Sequence, residues 1–136
     1  MNETILIIIV SYLIGNFQTS YILGKMIKKT DIRQFGSGNA GTTNALRVYG
    51  KKFATATLLL DAIKGSIAVI IGRHILGDTG AMIAGFGVVA GHNWPVFLKF
   101  KGGKGIATTI GVALVLLPIQ GIICIIIGIS IIAKTK

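Results

Sequence analysis

Long apolar stretches alternate with short polar ones along the whole chain. Residues 5–24 carry no formal charge, and about 20 such residues cross the hydrocarbon core of a bilayer. Residues 106–133 form a second charge-free run. Residues 53–72 form a third, interrupted by Asp61 and Lys64, and residues 75–95 a weaker fourth, rich in Gly and Ala. The pattern predicts an all-α protein: a polytopic transmembrane helix bundle of about four membrane segments, in one integral membrane domain over residues 1–136. Helices in such a bundle associate through close packing of small residues. Gly80, Ala81, Ala84, Gly85, Gly87, Ala90 and Gly91 suit that role in the 75–95 segment.

Polar residues inside the apolar runs refine the picture. Tyr12, Asn16, Thr19 and Ser20 recur at helical spacing and share one face. That face looks into the bundle, either to bond neighbouring helices or to line a substrate cavity. Thr57, Asp61 and Lys64 fall on one face of the next helix, and charge within a span is costly unless paired or functional. An Asp61–Lys64 ion pair that fixes helix packing is the expected arrangement. Pro118 should kink the last run by removing a backbone hydrogen bond. That run is long enough for one bent span and too short for two. Residues 25–52 form a polar connection opened by Gly36, Gly38, Gly41 and Gly50, with a short helical turn expected at 45–48.

Composition agrees with this pattern. Of all residues 52% are hydrophobic and 13% charged, and the mean hydropathy is +0.78. A soluble domain carries about 25% charged residues. The net charge is +10, and its placement is informative. Lys25, Lys28, Lys29 and Arg33, then Arg47, Lys51 and Lys52, follow the first apolar run. The extreme N-terminus carries Glu3, where a cleaved signal peptide has bases. Basic loops stay cytoplasmic, so the N-terminus is expected outside, with residues 25–52 and the basic 99–104 loop inside. Lys134 and Lys136 then emerge outside. Attraction to anionic headgroups accounts for the basic residues beside the spans, so no nucleic-acid partner is implied. Cys124 is the single cysteine, which excludes an internal disulfide and a cysteine metal cluster.

Two polar, Gly-rich stretches hold the candidate chemistry. The first is Gly36–Ser37–Gly38–Asn39–Ala40–Gly41–Thr42–Thr43–Asn44, with Arg47 beyond it. Glycines at this density expose successive backbone amides, which form anion-binding concavities. Ser37, Thr43, Asn39 and Asn44 add donors, and Arg47 adds a fork that matches two phosphate oxygens. The second runs from Gly91, His92 and Asn93 through Lys99, Lys101, Gly102, Gly103 and Lys104 to Gly105. His92 can serve as a general base near neutral pH, or it can cap a helix end. Trp94 and Phe97 read as interfacial anchors, and His74 as a solvated loop residue. Gly102–Gly103–Lys104–Gly105 is not a P-loop: Leu98 stands where the first glycine belongs, and Ile106 follows Gly105.

With Asp61–Ala62–Ile63–Lys64–Gly65 between them, these two motifs resemble the bacterial acyl-phosphate:glycerol-3-phosphate acyltransferases of the inner membrane. The resemblance covers the chain from first helix to last, and the HxxxxD pattern of soluble-domain glycerolipid acyltransferases is absent. It implies a multi-pass plasma-membrane enzyme with its site on the cytoplasmic side. That enzyme moves an acyl group from fatty acyl phosphate to the 1-hydroxyl of glycerol 3-phosphate, giving lysophosphatidic acid and phosphate, with no metal and no cofactor. His92, Ser37 and Lys104 are then the catalytic candidates. Gly38, Asn39, Gly41, Thr43, Asn44, Arg47, Lys64, Asn93, Lys101, Gly102 and Gly103 are the substrate-binding candidates. The partners implied are the two substrates and membrane lipids. The family carries a further His, Asn, Arg and Glu cluster after additional helices, so a missing C-terminal segment is expected. The alternative function is a catalytically inactive short form that binds phosphate or anionic lipid.

Overall fold

The computed structural model describes residues 2–135. Its regular elements are helices, with no strand among these residues. Helix α1 (Glu3–Gly15) is followed by α2 (Thr19–Leu23), which continues as a wide turn over Gly24–Lys28. A polar segment leads to α3 (Thr42–Tyr49), then to α4 (Lys51–Asn93), α5 (Ile106–Leu116) and α6 (Pro118–Lys134).

Helix α4 is two limbs, 51–75 and 78–93, reversed at Leu76 (φ −140°, ψ 34°) and Gly77 (φ 56°, ψ −147°). Only glycine enters the Gly77 conformation without strain. The limbs then run antiparallel. A Cβ on Gly72 would stand 2.3 Å from the Gly80 carbonyl oxygen, and one on Gly80 would stand 2.1 Å from that of Gly72. The exposed Arg73–Asp78 pair, 3.3 Å apart, closes the turn. The first limb is about 37 Å long at 1.5 Å per residue, enough to cross a bilayer.

Backbone contact through small residues assembles the rest. Gly91 meets the Tyr12 carbonyl, Gly65 meets that of Thr108, and Gly111 meets that of Ala62. Helix α1 therefore runs parallel to the second limb, and α5, which starts with Gly105 beside Asn93 and passes Gly85 at Val112, runs antiparallel to it. Ala68, Val69, Ala81, Val88 and Val112 form the buried core between them. A smaller core of Ile32, Ala40 and Ala45 lies under the polar segment, covered by Tyr21 and Tyr49.

Three expectations change in detail. Residues 5–24 are not one straight helix: α1 ends at Gly15 and the chain resumes helix at Thr19, bent by 40°. The apolar run after Gly105 is not one kinked helix. Leu117 takes φ −139°, ψ 68°, as expected of a residue pressed by the following proline ring. Helix α6 then folds back, so that a Cβ on Gly121 would lie 3.2 Å from Ala113. Finally, the turn expected at 45–48 is a full helix, Thr42–Tyr49. By length and composition one helical stretch, Lys51–Leu98, suffices to cross a membrane, and α1 with α2 makes a second if taken as one bent span. Lys136 lies outside the described residues.

Candidate functional site

The break between α1 and α2 builds the centre of the site. Ending a helix at Gly15 leaves backbone carbonyls without helical partners. Lys64, from the first limb of α4, supplies them: its Nζ donates to the carbonyls of Gly15 (3.3 Å) and Phe17. The same ammonium lies 2.9 Å from Asp61 Oδ1 and 2.8 Å from His92 Nδ1. Thr19 donates to Asp61 Oδ1 at 2.8 Å, and Gln18 donates to the His92 carbonyl at 2.9 Å. Thr19, Asp61, Lys64 and His92 are all at most 6% exposed. Four elements thus meet around one buried ion pair, the arrangement an intramembrane charge requires.

His92 carries this network to the glycine loop. It closes the second limb of α4, and its carbonyl accepts the Gly103 amide at 3.1 Å. On the other side of the ring, a Cβ on Gly103 would stand 2.0 Å from Nε2. Gly41 of the first motif approaches the same point, its missing Cβ 4.0 Å from the Gly103 Cα. The two Gly-rich motifs, 62 positions apart at Gly41 and Gly103, therefore meet at the edge of the imidazole.

Asn44 shapes the first motif. Its side-chain oxygen accepts the Ser37 amide at 3.0 Å, and its amide donates to the carbonyls of Ile32, Phe35 and Asn39 at 3.0–3.2 Å. Gly36 passes this side chain with φ 59°, and a Cβ there would lie 2.2 Å from Asn44 Oδ1. Asn44 is buried and spends its amide on the loop. Ser37, Gly38, Thr43 and Arg47 are exposed, as are Lys101 and Lys104, while Asn39, Gly102 and Gly103 are partly so. Arg47, Lys101 and Lys104 make no ion pair among the described residues. Asn93 sits beside Gly105 with its side-chain oxygen buried and unbonded.

Some contributors were not singled out from sequence. Asp31 and Arg33 form a two-pronged pair (3.1 and 2.8 Å), and Arg33 also donates to the Leu98 carbonyl at 3.2 Å. This ties the first loop to the second. The guanidinium bonds hold the Asp31 carboxyl below its ordinary 3.8, against partial burial that raises it. They raise Arg33 in return. Asn16 accepts the Val96 amide at 2.6 Å, and Tyr12 donates to the Trp94 carbonyl at 2.6 Å. Tyr12 and Asn16 lie on the polar face expected to turn into the bundle, whereas Asp31 and Arg33, in the polar segment, carried no such signal. Beside the network lies an apolar groove of about 250 Å³ lined by Leu13, Phe17, Tyr21, Ile22, Phe97 and Leu98, with Asn16 and Gln18.

Fold and site together define a helical protein with a buried ion pair, an apolar groove and unpaired cations on two converging glycine loops. The chain belongs to the glycerol-3-phosphate acyltransferase family, whose pattern it matches over residues 5–136. It is 56% identical over 132 residues to a glycerol-3-phosphate acyltransferase of Thermoanaerobacter pseudethanolicus (strain ATCC 33223 / 39E), covering 97% of this chain and 67% of the relative. It also superposes on crystal structures of PlsY, an integral membrane glycerol 3-phosphate acyltransferase. The glycerol 3-phosphate form gives a TM-score of 0.89 at 34% identity, over 96% of this chain and 66% of that one. The lysophosphatidic acid form gives 0.84 at 33%, over 94% and 64%. The chain spans about two thirds of the length of these relatives.

Proposed function

We propose that this chain binds glycerol 3-phosphate and fatty acyl phosphate and carries out acyl transfer to the 1-hydroxyl of the former. The acceptor oxygen bonds to the acyl carbon, the carbon–oxygen bond to phosphate breaks, and the acceptor proton leaves with the released phosphate. The observation that carries the reading is the meeting of both Gly-rich motifs at His92, with Arg47, Lys101 and Lys104 exposed in or next to these motifs and in no ion pair among the described residues. Two phosphate-bearing substrates call for two anion sites. Ser37, Asn39, Thr43 and Arg47 would hold one phosphate. Lys104 with the Gly102 and Gly103 backbone would hold the other. An acyl phosphate is already activated, so positioning and charge neutralisation can supply most of the rate. The apolar groove beside Phe17 suits an acyl chain.

The protein is placed in the bacterial plasma membrane, multi-pass, with its N-terminus outside and the site facing the cytoplasm. What supports this is the sidedness of charge. Both loops lie at one end of the bundle with Lys25, Lys28, Lys29, Arg47, Lys51, Lys52, Lys99, Lys101 and Lys104, and the 76–77 turn lies at the other. Outward-facing Ile5, Ile8, Ile9, Leu59, Ile63, Ile67 and Ile70 suit contact with lipid.

The span of about two thirds of the relatives favours a second reading, a chain that binds phosphate or anionic lipid without turnover. Phosphate release from acyl phosphate, by purified protein in lipid, separates the two. Acceptor-dependent release with formation of lysophosphatidic acid is expected, and binding without release would favour the second reading. Arg47→Ala and Lys104→Ala should each weaken glycerol 3-phosphate or acyl phosphate binding about ten- to hundredfold, the worth of one charge-assisted hydrogen bond. Unchanged affinity for both substrates would remove these residues from the anion sites.

A further inference from the structure

The buried triad of Asp61, Lys64 and His92 has a hydrogen-bond arrangement that fixes which atoms carry protons. Lys64 Nζ faces Asp61 Oδ1 at 2.9 Å, the Gly15 carbonyl at 3.3 Å, the Phe17 carbonyl and His92 Nδ1 at 2.8 Å. The first three can only accept. An ammonium brings three donors and no lone pair, whereas a neutral amine brings two. The neutral amine would leave the Asp61 carboxylate buried without a counter-charge. The ammonium supplies that charge and shares its three N–H groups among four acceptors, of which the Gly15 carbonyl is the longer contact at 3.3 Å and also accepts from Gln18 at 3.4 Å. Towards Nδ1 the ammonium can only donate. A proton on Nδ1 would set two donors against each other at 2.8 Å. Nor does Nδ1 have another acceptor, since Asp61 Oδ1 stands 3.9 Å away, beyond hydrogen-bond range.

We infer that Lys64 holds His92 as the neutral imidazole with its proton on Nε2, so that His92 offers the site a hydrogen-bond donor and not a base. Nε2 is the atom that faces the glycine loop, where a Cβ on Gly103 would stand 2.0 Å away. A donor at the junction of both motifs suits an oxygen that carries or gains negative charge: a phosphoryl oxygen, or the acyl carbonyl oxygen during transfer. Lys64 touches no substrate in this scheme and is a positioning residue. Lys104, on the same glycine loop, is exposed and makes no hydrogen bond to Nε2 among the described residues. The use of the donor rests on the acyl-transfer reading; the tautomer does not.

The chain has two histidines, so His74→Gln leaves His92 as the sole imidazole. Nitrogen-15 NMR of histidine-labelled protein in lipid near neutral pH should show a proton bonded to Nε2 and an unprotonated, hydrogen-bonded Nδ1. An Nδ1–H tautomer or an imidazolium overturns the inference. Lys64→Met, made together with Asp61→Asn so that no carboxylate is stranded, should give a mixture of tautomers. A tautomer unchanged in that double variant would show that Lys64 does not set it. For the donor role, His92→Gln can donate but cannot act as a base. It should keep at least tenfold more kcat/KM than His92→Ala, and equal loss overturns the role. If the parent protein does not turn over, the acyl-transfer reading fails separately. The same two variants are then ranked by affinity for glycerol 3-phosphate, with the same two outcomes.

Discussion

Asn44 shows how much one side chain can decide. Its oxygen takes the Ser37 amide and its nitrogen reaches three carbonyls, all at 3.0–3.2 Å. The loop from 32 to 41 has few other internal bonds, so its shape depends on this amide. Asn44→Ala strands several of those groups, and each buried group left unsatisfied costs about 1–3 kcal/mol. The expected outcome is a lower melting temperature and faster proteolysis between 33 and 41. Asn44→Asp should fare no better, because a carboxylate cannot donate to the three carbonyls. Wild-type stability in either variant would show that the loop is held some other way. The sequence marked Asn44 as a donor beside glycines, which a phosphate contact and a loop scaffold both satisfy. Burial is what separates the two, and the folding of the 32–41 loop over Asn44 and the Ile32, Ala40 and Ala45 cluster leaves no pattern in the hydropathy.

At the scale of elements, packing depends on glycines whose neighbours are backbone atoms. Gly111 is the clearest case: a Cβ there would stand 1.8 Å from the Ala62 carbonyl oxygen and 2.6 Å from its carbon. Backbone cannot yield as a side-chain tip can, so Gly111→Ala forces α5 away from the first limb of α4. Overpacking of this kind costs about 1–3 kcal/mol. Gly128 on α6 has open space around it, and Gly128→Ala should leave stability unchanged or slightly raised. Thermal unfolding of both in one detergent checks the contrast, and equal effects would refute this packing. Apolar runs and small-residue content made helices legible in the sequence. The Asp61–Lys64 pair was legible too, from spacing on one face. The α1 break was not, because the lysine that satisfies the freed carbonyls lies 49 residues away. The reversal at Leu117 was half legible: Pro118 marks a stop, while hydropathy does not distinguish a bent helix from a hairpin.

For the whole molecule, the arrangement of ends makes a definite statement about the membrane. Helix α1 runs parallel to the second limb of α4, with Gly15 beside Gly91 and His92. Its start therefore lies at the same end as the Leu76–Gly77 turn, and both Gly-rich loops lie at the other. If charge sets orientation, the turn and the N-terminus face outward and the loops face the cytoplasm. Cysteine labelling tests this cleanly, since Cys124 is the single native thiol and can be replaced by serine. Gln34→Cys reports on the loop end, and Asp78→Cys, whose parent side chain is 83% exposed, reports on the turn. In intact bacterial cells a membrane-impermeant maleimide should label residue 78 and reach residue 34 only after lysis. The reverse pattern would invert the protein and leave the fold as it is. Labelling of both from one side would mean that the 51–75 limb does not separate them, and the proposed placement across the bilayer would fall.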